Sequence, residues 1–149
     1  MTLENTIALL ELITAAYPRF EIVKGEETFS VWHECLEDLD YEDAKTATKN
    51  VIRESEFPPT IAEIRKAYSE IEDERKKIRS LIRQEYDAIR SYYPSCGELN
   101  NGWPEFQERC DSPEKAKKLR TALYNYVREV EQTGGNTEPF VEKIKTIPF

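Results

Sequence analysis

The sequence predicts an all-α fold. Three observations carry this: apolar residues at helical spacing along most of the chain, only five glycines in 149 residues, and proline and capping signals that fall between the apolar stripes. So few glycines do not suit a sheet-rich fold built on tight turns. Charged residues make up 34% of the chain and apolar ones 39%, so a modest core is expected, with much helix surface facing water. The expected architecture is a small N-terminal helical bundle over residues 1–58, a long heptad-patterned helix over 59–93, and C-terminal helices over 94–149 that pack back on it.

Leu3, Ile7, Leu10, Ile13 and Tyr17 repeat at helical spacing, with Leu9, Leu12 and Ala16 widening the stripe, and Pro18 ends this first helix. A short Phe20-Glu21-Ile22-Val23 stretch and Gly25 follow. The second helix carries Phe29, Trp32, Leu36 and Leu39 on one face. Asp40 reads as the N-cap of a third, with Asp43 at the N3 position and Tyr41, Ala44, Ala47 or Thr48, and Val51 with Ile52 as its apolar face. Phe57-Pro58-Pro59 stops that helix, since neither proline can donate to it.

Thr60 and Glu63 form a capping box for the long helix. From there Ile61, Ile64, Tyr68, Ile71, Arg75, Ile78, Ile82, Ile89 and Tyr92 fall on a 3–4 repeat, broken at Glu85. Nothing interrupts it before Pro94, so a helix of about 50 Å is expected, leaving the bundle as a stalk. Residues 94–112 read as loop, with a turn at Asn100-Asn101-Gly102 and Trp103 and Phe106 as anchors. Ser112-Pro113 opens a further helix with Ala116, Leu119, Leu123, Tyr126 and Val130 on one face, and Gly134-Gly135 closes it. A last amphipathic piece holds Phe140, Ile144 and Ile147 and ends at Pro148-Phe149. If the C-terminal stripe covers the long seam, the protein is a monomer or weak dimer.

Charge is unevenly placed. Residues 1–59 carry a net −8, the charge of the whole chain, and the remainder balances. Such a surface repels phosphate backbones and suits a basic protein partner. The N-terminal apolar stretch contains Glu4 and Glu11 and has no basic leader, so it reads as neither signal peptide nor membrane span. Three scattered cysteines imply no disulfide framework, and a reducing cytoplasm is the expected location.

Chemistry-bearing constellations are weak. His33, Cys35, Cys96 and Cys110 lack the paired spacing of a structural zinc site, so no metal is expected. His33 and Cys35, two residues apart on a helix, point about 200° away from each other and cannot form a nucleophile–base pair. No phosphate-binding loop motif occurs, and no cofactor is expected. Arg75, Arg79 and Arg83 stack at i, i+4, i+8 beside Lys76 and Lys77. A nucleic-acid site could use that row with Tyr86 stacking, but Glu72, Glu74, Glu85 and Asp87 interleave and should neutralise much of it. A protein-facing or solvated ridge is the favoured reading.

Leu9-Leu10-Glu11-Leu12-Ile13, Ala16-Tyr17-Pro18, the Trp32 helix and Phe57-Pro58-Pro59-Thr60-Ile61-Ala62-Glu63-Ile64, in that order, resemble the phage replicative helicase loader/inhibitor proteins over residues 1 to about 65. The resemblance implies a non-catalytic adaptor in a phage or prophage. It would bind a hexameric replicative helicase in its ATP state, restrain its ATPase, and hand it to an origin-bound protein. In that family the helicase contact is attributed to a flexible C-terminal segment, where this chain shows heptads and an ordered-looking tail. Candidate partner-binding residues are therefore Phe140, Ile144, Ile147 and Phe149, as an apolar patch, and Arg75, Arg79 and Arg83; the alternative for the apolar set is packing on the last long helix. A second function class, a small helical nucleic-acid-binding or transcription-type regulator, is disfavoured because residues 41–54 are neutral at best within a strongly acidic domain.

Overall fold

A computed structural model describes residues 1–19, 25–94 and 101–149. The protein is all-α, in the order α1 (Leu3–Ala16), α2 (Glu26–Leu36), α3 (Tyr41–Glu54), α4 (Ile61–Tyr92), α5 (Trp103–Arg109), α6 (Pro113–Thr133) and α7 (Phe140–Thr146). The Phe20–Val23 stretch, Cys96 and Asn100 lie outside the described residues. The chain divides into two compact units, Met1–Glu74 and Arg75–Phe149, so α4 contributes to both.

Helix boundaries follow local chemistry. Thr2 caps α1, its hydroxyl accepting from the Asn5 N–H at 3.3 Å. Asp40 caps α3, accepting from the Asp43 N–H at 3.1 Å. At the start of α4 the capping box is complete: the Thr60 N–H donates to Glu63 Oε2 at 2.8 Å and the Glu63 N–H to Thr60 Oγ1 at 3.3 Å. These bonds hold the Glu63 carboxyl below its ordinary pKa. Gly134, at φ 68°, ends α6 in the left-handed conformation that glycine adopts without a steric penalty.

In the N-terminal unit Leu9, Leu10, Ile13 and Tyr17 of α1 and its cap pack with Leu36, Leu39, Ala44 and Ile64; Phe29, Trp32, Ile52, Ile61 and Tyr68 close the edges. Two tyrosine hydroxyls tie the elements together. Tyr17 donates to the Ser55 carbonyl at 2.9 Å, satisfying an acceptor at the C-terminal end of α3, and Tyr68 accepts from the Asp40 N–H at 3.2 Å. Arg65 on α4 forms a two-pronged pair with Asp38, at 2.7 and 2.8 Å, and also donates to the Cys35 carbonyl near the end of α2.

That pair makes a pH prediction. The Arg65 guanidinium holds Asp38 below the ordinary carboxylate range. A folded-state pKa lower than the unfolded one stabilises the fold above the unfolded value, and the contribution is lost as pH falls through the folded one. The unfolding midpoint of the N-terminal unit in urea is therefore expected to fall below about pH 4. Asp38→Asn should lower that midpoint at neutral pH, by no more than about 1 kcal/mol for so exposed a pair, and the two proteins should converge in acid. Parallel curves at all pH values would contradict it.

The C-terminal unit is built on the distal half of α4. Ile82, Tyr86, Ile89 and Tyr93 meet Phe106 and Cys110, then Ala116, Leu119, Leu123 and Val127 of α6, then Phe140, Ile144 and Ile147. The seam thus runs through Tyr86 and Tyr93, not the Glu85 and Tyr92 positions of the heptad reading; Tyr92 is exposed, and Glu85 pairs with Arg120 on α6. On α6 Val127 takes the buried place assigned to Val130. Residues 103–109, read as loop, form α5. Its first N–H, on Trp103, donates to Asn101 Oδ1 at 3.4 Å. Gly102 is buried where a Cβ would lie 2.7 Å from Ile144 Cδ1, so that close approach requires glycine.

A candidate protein-interaction groove

Arg75, Arg79 and Arg83 lie one turn apart on α4, beside the stripe that carries Ile78, Ile82 and Tyr86 into the core. α5 faces that flank. The space between them forms two adjoining shallow recesses of about 390 and 380 Å³. Lys76, Arg79, Ser80, Arg83 and Trp103 line one; Arg75, Ile78, Arg79, Ile82, Trp103 and Gln107 line most of the other, with Cys110 and Asp111 at its end. Arg79 and Trp103 border both.

The cations differ in what already holds them. Arg83 is fixed: its Nε donates to both carboxylate oxygens of Asp87, at 3.1 and 3.2 Å, and its guanidinium lies 4.8 Å from the Trp103 ring centre and 5.1 Å from that of Tyr86. Arg79 is exposed and pairs with no acidic side chain among the described residues. The only carboxylate lining either recess, Asp111, pairs with Lys115 at 2.6 Å, which holds its carboxyl below the ordinary range. The interleaved acids therefore neutralise the row less than the sequence suggests, because Glu85 turns to Arg120 on the opposite flank.

The other candidates sort differently. Phe140 and Ile144 are fully buried and Ile147 nearly so, all within the core of the C-terminal unit. The apolar patch expected of them is not on the surface, because α7 turns its stripe onto α4 and α6. Phe149 is exposed, with the Arg109 guanidinium 4.6 Å from its ring centre, and borders a separate hollow beside α6. Tyr86, the candidate stacking platform, is fully buried; its hydroxyl donates to Asn101 Oδ1 at 3.4 Å. Trp103, only an anchor in the sequence reading, is the aromatic residue at the groove. Its part depends on Arg83 lying over it, which sequence spacing does not reveal.

No nucleophile–base pair is assembled by the described residues. His33 Nδ1 lies 3.3 Å from Thr6 Oγ1, in hydrogen-bonding contact, as a boundary residue of the N-terminal unit. Burial pushes the Cys110 thiol up to about 11, so it stays protonated and a poor nucleophile at neutral pH. Among the described residues no three of His, Cys, Asp or Glu converge on a metal position, and no helix is long and apolar enough to cross a membrane.

The N-terminal unit is thus a helical bundle closed by the first turns of α4, and the C-terminal unit presents a basic, aromatic-edged groove. Comparison with known families matches residues 1–65 to the model of the phage helicase loader/inhibitor N-terminal domain. Those residues are similar to that domain, and it is the family that the Tyr17-Pro18 and Phe57-Pro58-Pro59-Thr60 motifs resemble. The match runs from α1 into the first turn of α4, and the groove lies beyond it. No curated protein and no solved structure gave a significant match.

Proposed function

We propose that this protein is a non-catalytic adaptor that binds the hexameric replicative helicase of a phage, prophage or host bacterium and regulates its loading and ATPase. The observation that carries the reading is the family match over residues 1–65. Two features agree with it. The sequence has no phosphate-binding loop, so any nucleotide dependence belongs to the partner. The negative charge concentrated in residues 1–59 disfavours DNA and favours a basic protein face. On this reading the protein acts in the bacterial cytoplasm and prefers the ATP-bound helicase, passing it to an origin-bound protein.

Co-elution with the helicase from the same phage or host tests this, alongside helicase ATPase titrated with the full chain. A complex is expected, about tenfold tighter with ATP than with ADP, because a partner that shifts the balance between two states must bind them unequally. ATPase should fall as the complex saturates. Absence of a complex in every nucleotide state, together with DNA binding that weakens steeply with salt, would favour the regulator reading instead.

A further inference from the structure

We propose that the α4/α5 groove docks an acidic segment of a partner protein, with carboxylates on Arg75 and Arg79 and an apolar side chain against Trp103. The inference uses only the C-terminal unit, so it does not depend on the helicase reading. Charge complementarity sets the chemistry of the occupant. Four cations, Arg75, Lys76, Arg79 and Arg83, border the two recesses, and the one acidic side chain there is already bonded to Lys115. Arg79, at the centre, has no acidic partner among the described residues and presents a planar fork suited to a carboxylate.

Spacing adds to this. Successive arginines on α4 are about 6 Å apart along the helix axis, four residues at 1.5 Å each. Carboxylates at i and i+4 on a partner helix repeat at the same interval, and alternate residues of an extended segment repeat at about 6.6 Å. Ile78, Ile82 and Trp103 supply an apolar floor between the charges, and each recess has room for one large side chain. Basic rim, aromatic edge and apolar floor are the composition of a protein interface core.

A single-stranded nucleic acid fits less well. It needs an open aromatic face and an uninterrupted cationic track. Here the Arg83 guanidinium covers a face of Trp103 while the ring packs edge-on to Tyr86, with centroids 5.4 Å apart. Asp87 and Asp111 break the track at either end.

The test is binding of the full chain to an array of fluorescent synthetic peptides in which glutamates spaced i, i+4 flank leucine or phenylalanine. The same peptides with lysine for glutamate, or serine for the apolar residue, and oligo-deoxythymidine serve as controls. The acidic–apolar peptides are expected to bind, more weakly as salt rises, and Arg79→Glu to weaken them about tenfold or more. Arg79 is exposed, so unchanged circular dichroism should accompany that loss, and Arg79→Lys should restore part of the binding. Three results would overturn the proposal: no acidic peptide bound, equal binding of the lysine series, or binding indifferent to Arg79→Glu. Oligo-deoxythymidine bound in preference, and lost in Arg79→Glu, would assign the groove to nucleic acid and overturn it as well.

Discussion

Phe140→Ala is expected to destabilise the C-terminal unit by about 3–5 kcal/mol, the usual result of truncating a fully buried phenylalanine. The Phe140 ring lies 4.9 Å from that of Tyr93 and 5.9 Å from that of Tyr86, centre to centre, and no part of it reaches solvent. Removing it leaves a cavity where α4, α6 and α7 meet. Ile144→Ala should cost about 2–5 kcal/mol by the same mechanism. A unit of this size has only about 4–11 kcal/mol of stability at typical values per residue, so the double variant should not keep it folded. The two tryptophans make the outcome readable, because Trp32 belongs to the N-terminal unit and Trp103 to the C-terminal one. Urea titration should show the Trp103 transition moving to low denaturant while that of Trp32 stays in place. A double variant with native helicity and an unshifted Trp103 transition would show that α7 is not part of the core. Loss of partner binding in these variants would not locate an interface, since the unit carrying it would be unfolded.

The contrast between α4 and α7 shows which parts of this fold the sequence makes legible. Both ends of α4 are marked chemically, by the Thr60–Glu63 box and by Pro94, and the helix spans Ile61–Tyr92 as those signals predict. Its register is harder to read. Tyr86 and Tyr93 are amphipathic, and their burial depends on distant acceptors, Asn101 Oδ1 for one and the Glu138 carbonyl, at 2.8 Å, for the other. Nothing near them in sequence announces those partners. α5 leaves a signal in Trp103, Phe106 and Cys110 at i, i+3, i+7, but seven residues with Pro104 among the first look like a loop.

For α7 the amphipathic pattern is clear and its destination is not. A stripe such as Phe140, Ile144 and Ile147 looks the same in sequence whether it meets the chain's own core or a partner. The groove is half legible. The arginine row is written at helical spacing, while its wall depends on α5 and on which acids turn away. Glu85 does so by reaching Arg120 on α6, at a sequence separation that no local pairing rule covers.

Deleting residues 112–149 should have the largest effect of any change. It removes α6 and α7, and with them Ala116, Leu119, Leu123, Val127, Phe140, Ile144 and Ile147, more than half of the C-terminal core. What remains on α4 is a bare stripe of Ile82, Tyr86, Ile89 and Tyr93, with Phe106 on the short α5 beside it. Exposed contiguous apolar surface of that kind seeks another surface, and a 3–4 repeat on a long helix offers a second copy of itself. The truncated protein is therefore expected to dimerise or aggregate, by size-exclusion chromatography with light scattering, where the full chain runs as a monomer or weak dimer. The N-terminal unit keeps its own core, from Leu9 to Ile64, so the Trp32 emission of the truncated protein should remain native-like. Ile82→Glu with Ile89→Glu in the truncated chain should abolish the association, because a charged stripe cannot be buried against its copy. A truncated protein that stays monomeric and fully helical would mean that the α4 stripe needs no cover. The packing of α6 and α7 would then not be what keeps the intact chain from self-association.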